Sequence, residues 1–353
     1  MADLKTHLLG HIAQHGPMRL SDYMAECLFH PAYGYYSTRD PLGTAGDFTT
    51  APEISQMFGE MIGLSLAQSW MDQGQPGAFV LAELGPGRGT LMADILRATR
   101  AVPGFADAAR VHLVEASPTL QQKQRALLGD APVWHDRIDT LPNDLPVFAV
   151  ANEFFDALPI RQFVRSGEMW CERLIGARDG GLVWGLGAPA PQPALAARLG
   201  DTREGDLVEH CPLAAPIVKA LGARIAENSG AALLIDYGDW RSLGDTLQAL
   251  SRHETADPLT APGQADLTAH VDFEVLATAT PSAHSRLTPQ GVFLERLGIT
   301  QRAQALAARM QGDTLTTHIA AHRRLTHPQE MGNLFKVLAL FPKHAAPPPG
   351  CET

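Results

Sequence analysis

Apolar residues recur along this chain in two rhythms. Leu4, Leu8 and Ile12, then Leu20, Tyr23, Met24 and Leu28, fall at helical spacing, so residues 4–28 read as helical. Ile54, Met57, Phe58, Met61 and Ile62 form a second helical stripe. Thr50 and Glu53 precede it at capping-box spacing, with Pro52 in the first turn. After the turn-rich stretch 71–78 the rhythm changes to short continuous apolar runs. Phe79–Glu83, Val111–Glu115, Pro132–Asp136, Val147–Asn152 and Ala231–Asp236 each read as a buried strand that closes on an acid or amide. Leu91, Met92, Ile95 and Leu96, a Ser117-Pro118 helix start, and Ile217, Val218, Leu221 and Ile225 supply helices between them. Alternating strands and helices predict an α/β fold with a Rossmann-like parallel sheet and helices on both faces.

The same pattern divides the chain. Residues 1–75 read as an N-terminal helical or lid region, and 76–240 as the ligand-binding core. Residues 241–353 read as a C-terminal insertion with the closing strands. Gly176–Asp206, rich in glycine, alanine and proline, reads as a surface excursion with a hairpin. Residues 239–272 read as polar loop, Asn333–Phe341 as the final strand and Pro347–Thr353 as a frayed tail.

Composition narrows the function classes. With 353 residues, 45% hydrophobic and 19% charged, the chain can bury a sizeable core. A formal net charge of −10 argues against a general nucleic-acid or anionic-membrane binder. The four cysteines lie far apart without a C-x-x-C pair, which points to reduced thiols in a cytoplasmic setting and to no structural metal. There is no 18-residue apolar run and no signal-peptide profile, so no membrane insertion is expected.

In open α/β sheets, ligands bind beyond the carboxyl ends of the strands, where Glu83, Glu115, Asp136 and Asn152-Glu153 fall. Glu83-Leu-Gly85-Pro-Gly87-Arg-Gly89-Thr90 is a strand-to-helix turn with glycine at every second position. A nicotinamide dinucleotide needs G-x-G-x-x-G and a pyrophosphate at the helix start. Here an acid stands in front of the glycines, which suits an ammonium group instead. Glu115 is placed for two ribose hydroxyls and Asp136 for an adenine amino group. Together these favour S-adenosyl-L-methionine. Asp47, in the glycine loop Gly43–Thr50, is a further candidate contact to this donor.

Asn152-Glu153-Phe154-Phe155-Asp156-Ala-Leu-Pro159 follows the fourth strand, where a methyl acceptor would sit. Glu153 and Asp156, with Asn152, read as the catalytic set, able to hold a guanidinium bidentately between Phe154 and Phe155. The segment His30–Tyr36 reads either as a turn packed on the core or, through Tyr35, as an aromatic wall of the pocket. His270 reads as a loop anchor or acceptor contact. His210-Cys211 is not a nucleophile pair, because adjacent side chains point apart.

With these residues in view, the chain from about Leu20 to Leu340 resembles a particular family. This is the class I methyltransferases that include bacterial relatives of a mitochondrial complex I assembly-factor arginine methyltransferase. The resemblance is carried by Gly34-Tyr35-Tyr36, Gly46–Glu53, Glu83–Leu91, Asn152–Pro159, Ile235-Asp236-Tyr237-Gly238 and Asp266–Phe273. It implies a class I methyltransferase sheet with an N-terminal helical extension and insertions, and binding of S-adenosyl-L-methionine. It also implies methylation of an exposed arginine on a protein, with a complex I subunit as the partner. Departing from the pattern, His210-Cys211-Pro212 stands where a small polar pair is expected before the proline. A homodimer is compatible with this reading. A small-molecule methyltransferase and a non-catalytic assembly protein stand as the alternatives.

Overall fold

Neighbouring residues of the buried strands separate onto two faces of one sheet, as side chains alternate across a strand. The computed structural model describes residues 3–38, 50–251 and 254–352. Its central strands are β1 (Phe79–Leu84), β2 (Ala109–Val114), β3 (Val133–His135), β4 (Val147–Asn152), β5 (Gly230–Asp239) and β6 (Phe335–Phe341). Phe79, Leu81, Phe148, Val150, Leu233 and Ile235 point into one layer. Val80, Ala82, Ala149, Ala151, Ala232 and Leu234 point into the other.

Two helices cover the first face. α1 (Gln56–Asp72) is capped by Ser55, whose side chain accepts from the Met57 N–H, and buries Met57, Phe58, Met61, Ile62, Leu66 and Trp70. α2 (Thr90–Thr99) buries Leu91, Met92 and Ile95 beside it. Each large side chain so buried contributes roughly 1.5–3 kcal/mol. α3 (Pro118–Leu128), capped by Ser117, follows β2, and α4 (Ala214–Asn228) packs Val218, Leu221 and Ile225 on the second face.

The strand order is β6-β5-β4-β1-β2-β3. All neighbours pair parallel except β6, which runs antiparallel to β5 through pairs such as Leu234 with Leu338. The expected wholly parallel sheet is therefore a mixed one. Chain order reverses between β1 and β4, and a crevice opens at their carboxyl ends.

Several expectations change here. Residues 4–28 are two helices, Leu4–His15 and Leu20–Phe29, broken at Gly16, whose φ of 84° only glycine adopts readily. The 71–78 segment is a turn within the core, since α1 before it and β1 after it share one hydrophobic layer. The 76–240 region is interrupted by an antiparallel sheet of Arg161–Ser166, Met169–Arg178, Gly181–Leu186 and Leu207–His210, with Met18–Arg19 at its edge. The N-terminal helices pack Leu8, Tyr23, Met24 and Leu28 against its Ile175 and Leu182. Polar residues on both strand faces, Arg161 through Ser166, hid this sheet from an apolar-run reading.

The 239–272 region also holds a three-stranded sheet of Gln248–Ser251, Glu254–Ala256 and Asp266–Thr268. Phe293, Leu294, Ile299 and Leu325, from helices within 290–326, extend the first layer. Pro347–Thr353, expected to fray, is tied down over its described part. Ser65 Oγ donates to the Pro349 carbonyl at 2.8 Å, and Arg286 N donates to the Glu352 carbonyl at 2.7 Å. Among the described residues no helix is long and apolar enough to cross a membrane.

Candidate active site

The crevice is a cavity of about 790 Å³. Its floor is the turn after β1. Gly85, Gly87 and Gly89 have φ of 64°, 55° and 87°, a left-handed run that explains the glycine at every second position. A Cβ on Gly85 would lie 2.8 Å from the Phe154 ring. Gly85 and Gly87 line the cavity, whereas Gly89 caps the start of α2.

Acids surround this floor. Glu83, at the end of β1, is 3% exposed; its Oε2 has no hydrogen-bond partner among the described residues, and burial pushes its pKa up to about 8. A Met92 backbone N–H bond pulls the other way. Glu115 follows β2, where burial raises its pKa to about 7 against hydrogen bonds from the Ser117 N–H (2.8 Å) and Gln124. Asp136, beyond β3, lines the same cavity.

The far wall follows β4. Glu153 sits at φ 51°, a strained conformation for a residue with a side chain, and its backbone N–H donates to the Ile235 carbonyl at 2.9 Å. Its Oε1 accepts from the Ala51 N–H at 2.9 Å and from Asn152 Nδ2 at 3.1 Å. Burial pushes Glu153 up to about 7, with the neighbouring Asp156 charge adding to the rise. Asp156 is also raised by burial, opposed by a Tyr237 hydroxyl bond. Asn152 Oδ1 and Asp156 Oδ1 are buried and lack hydrogen-bond partners among the described residues.

Asp236, absent from the sequence-based set, organises this loop. Its Oδ2 accepts from the backbone N–H groups of Phe154 (3.1 Å), Phe155 (2.9 Å) and Asp156 (3.3 Å), and its Oδ1 from that of Tyr237 (3.0 Å). The acid ending the fifth strand was the signal that could have found it. Tyr36, Tyr237, Asp266 and Thr268 also line the cavity, with Tyr36 Oη donating to Asp266 at 3.0 Å. Asp266 and Thr268 sit in a stretch that reads as polar loop and belong to the Asp266–Phe273 motif, of which His270 was the residue expected at the site.

Three of the expected site residues are placed elsewhere. Tyr35 is fully buried among the N-terminal helices; adjacent residues of a helical turn point apart, and Tyr36 takes the wall. Phe155 faces away into the α4 layer, leaving Phe154 at the cavity. His270 is not at the cavity; its ring meets Tyr237 edge-on at 5.4 Å and its N–H donates to Thr246 Oγ1 at 2.8 Å. The Thr50–Glu53 capping box does not form. Thr50 makes no side-chain cap, while Glu53 Oε1 accepts from Thr90 Oγ1 at 2.5 Å. Asp47 lies outside the described residues.

Two other groups lie apart from the crevice. Cys211 is half-buried, and burial pushes its thiol up to about 11, far from a nucleophile's range. His7, Glu26 and His30 gather ligand atoms at the N-terminal helices. The Ala32 N–H donates to His30 Nδ1 at 3.1 Å, leaving the ring proton on Nε2, the atom that faces Glu26 at 3.9 Å.

The raised carboxyl groups make a stability prediction. Glu83 titrates near 8 when folded against about 4.3 in an unfolded chain, so the folded state holds more protons between those values. Its contribution is fully present below the unfolded pKa and is lost as pH rises toward 8. Glu83→Gln, which never ionises, should stabilise the free protein by on the order of 2 kcal/mol at pH 8 and little at pH 4.5. Thermal melts of both proteins across that range test this, and parallel curves would refute it.

A mixed sheet of this order, a glycine turn behind a buried acid, and ordered acids at successive strand ends define a class I S-adenosylmethionine-dependent methyltransferase. The buried, unpartnered Glu83 oxygen beside the glycine turn fits a donor that carries an ammonium group. Comparison with known proteins agrees. Residues 61–292 match the family described as "Putative S-adenosyl-L-methionine-dependent methyltransferase". The mitochondrial protein arginine methyltransferase NDUFAF7 of Danio rerio is 36% identical over 95% of this chain and 86% of its own. The human protein of that name is 36% identical over 95% and 82%. A Burkholderia thailandensis structure with S-adenosyl-homocysteine bound superposes with a TM-score of 0.84 at 30% identity, covering 98% of this chain and 93% of that one. The chain belongs to the NDUFAF7 family of S-adenosylmethionine-dependent methyltransferases.

Proposed function

We propose that this methyltransferase N-methylates an arginine side chain of a protein. The observation that carries this reading is the chemistry of the far wall. Asn152 Oδ1 and Asp156 Oδ1 are buried acceptors without donors, beside Glu153. A guanidinium brings five N–H donors and a positive charge, meeting both needs at once.

In this reading Glu83 takes the donor's ammonium, Glu115 its ribose hydroxyls and Asp136 its adenine amino group. The bound donor supplies an electrophilic methyl group on a sulfonium. Glu153 and Asp156 hold the acceptor guanidinium on two nitrogens, drawing its charge there and leaving electron density on the third. Phe154 and the apolar wall exclude water, which strengthens these contacts. Methylation leaves the attacking nitrogen with a proton to lose. In this reading the proton passes to Glu153, whose carboxyl burial raises to about 7.

The named relatives are protein arginine methyltransferases, which supports the same acceptor. A complex I subunit is the partner this family membership favours, and the acidic protein suits a basic peptide. Methyl-labelled donor incubated with a native lysate tests the reading. Label is expected in the protein fraction, with dimethylarginine found by mass spectrometry. Label confined to small molecules would overturn it.

A further inference from the structure

Gln124 is completely buried on α3, behind the Gly87 and Glu115 lining of the cavity and not itself part of that lining. Its amide is used on all sides. Nε2 donates to the Gly87 carbonyl at 2.8 Å and to Glu115 Oε2 at 3.3 Å. Oε1 accepts from Trp134 Nε1 at 2.8 Å. An indole N–H can only donate, so the amide has one allowed orientation, with both Nε2 hydrogens aimed at the turn and at Glu115. Its Cγ would lie 3.5 Å from a Cβ built on Gly89, so the stem also backs the glycine turn. Arg125 holds Trp134 in turn, its guanidinium 4.2 Å from the ring centre.

Three elements that face the donor are therefore joined through one side chain: the glycine turn after β1, Glu115 after β2, and β3 just before Asp136. We propose that Gln124 is a positioning residue for S-adenosylmethionine, setting the spacing between the glycine turn and Glu115. It touches neither donor nor acceptor; it acts by fixing the Gly87 carbonyl and one Glu115 oxygen. That leaves the other oxygen, Oε1, to the Ser117 N–H and the ligand. The inference needs only the donor site and is independent of which acceptor is methylated.

Gln124→Glu keeps the stem and the Trp134 contact but replaces both donors with a carboxylate oxygen. That oxygen faces the Gly87 carbonyl and Glu115, so two acceptors and a like charge meet. Titration calorimetry with S-adenosylhomocysteine should show binding about thirtyfold weaker than wild type at pH 8. At pH 5.5 the protonated side chain regains one O–H donor, and the gap should shrink to within about fivefold. A packing role alone would give a ratio that does not move with pH. Gln124→Met, of similar volume and without charge, should bind several-fold more weakly at both pH values. Trp134→Phe frees the amide to turn over and should also weaken binding several-fold. Trp134→Phe combined with Gln124→Met should be no worse than Gln124→Met alone. If Gln124→Glu does not fold, the last two variants and their non-additivity decide. Binding within twofold of wild type, a pH-independent ratio for Gln124→Glu, or additive losses for the other pair would overturn the proposal.

Discussion

Glu153→Gln is expected to lower methyl transfer by about a thousandfold while S-adenosylhomocysteine still binds within about threefold of wild type. The substitution keeps size and the Oε1 acceptor for the Ala51 N–H, so the left-handed turn at Glu153 persists. What it removes is the negative charge opposite the acceptor and the group able to take its proton. Both act on the reacting nitrogen, so the loss falls on turnover and spares donor affinity. Steady-state methylation of labelled lysate protein, beside calorimetry with S-adenosylhomocysteine, separates the two. A variant with near-normal turnover would remove Glu153 from the chemistry.

The second large effect is on donor affinity. Glu115→Ala is expected to weaken S-adenosylhomocysteine binding by about a hundredfold, because a hydrogen bond to a charged group contributes roughly 1.5–3 kcal/mol net. The Ser117 N–H and the Gln124 amide, which now point at Glu115, would be left without their acceptor. At saturating donor the turnover should return close to the wild-type value, since the acceptor wall is untouched. Affinity unchanged in Glu115→Ala would break the assignment of the ribose to this residue.

Both residues were legible without coordinates, because each ends a buried apolar run and strand ends are where such sheets bind ligands. Glu83, Asp136 and Asn152 follow the same logic, and all line the cavity. The failures share a cause. Tyr35 and Phe155 were chosen from aromatic pairs, Tyr35-Tyr36 and Phe154-Phe155, in which composition names the pair and backbone direction names the member. His270 stood in a motif whose useful acid, Asp266, faces the cavity four residues earlier. Gln124 and the Arg161–His210 sheet carry no apolar signature, and no local pattern announces them.

The alternation of apolar runs and the glycine turn determined, from sequence alone, the α/β class, the strand ends and the identity of the donor. These depend on short-range regularities, the two-residue period of a strand and the φ freedom of glycine, which neighbouring residues dictate. Tertiary structure alone decided that β6 runs antiparallel. It alone brought Asp236 under the backbone N–H groups of 154–156, and placed Tyr36, Tyr237 and Asp266 in the same cavity as Glu153. Those contacts join residues some 80 to 230 positions apart, where only packing sets the distance between side chains.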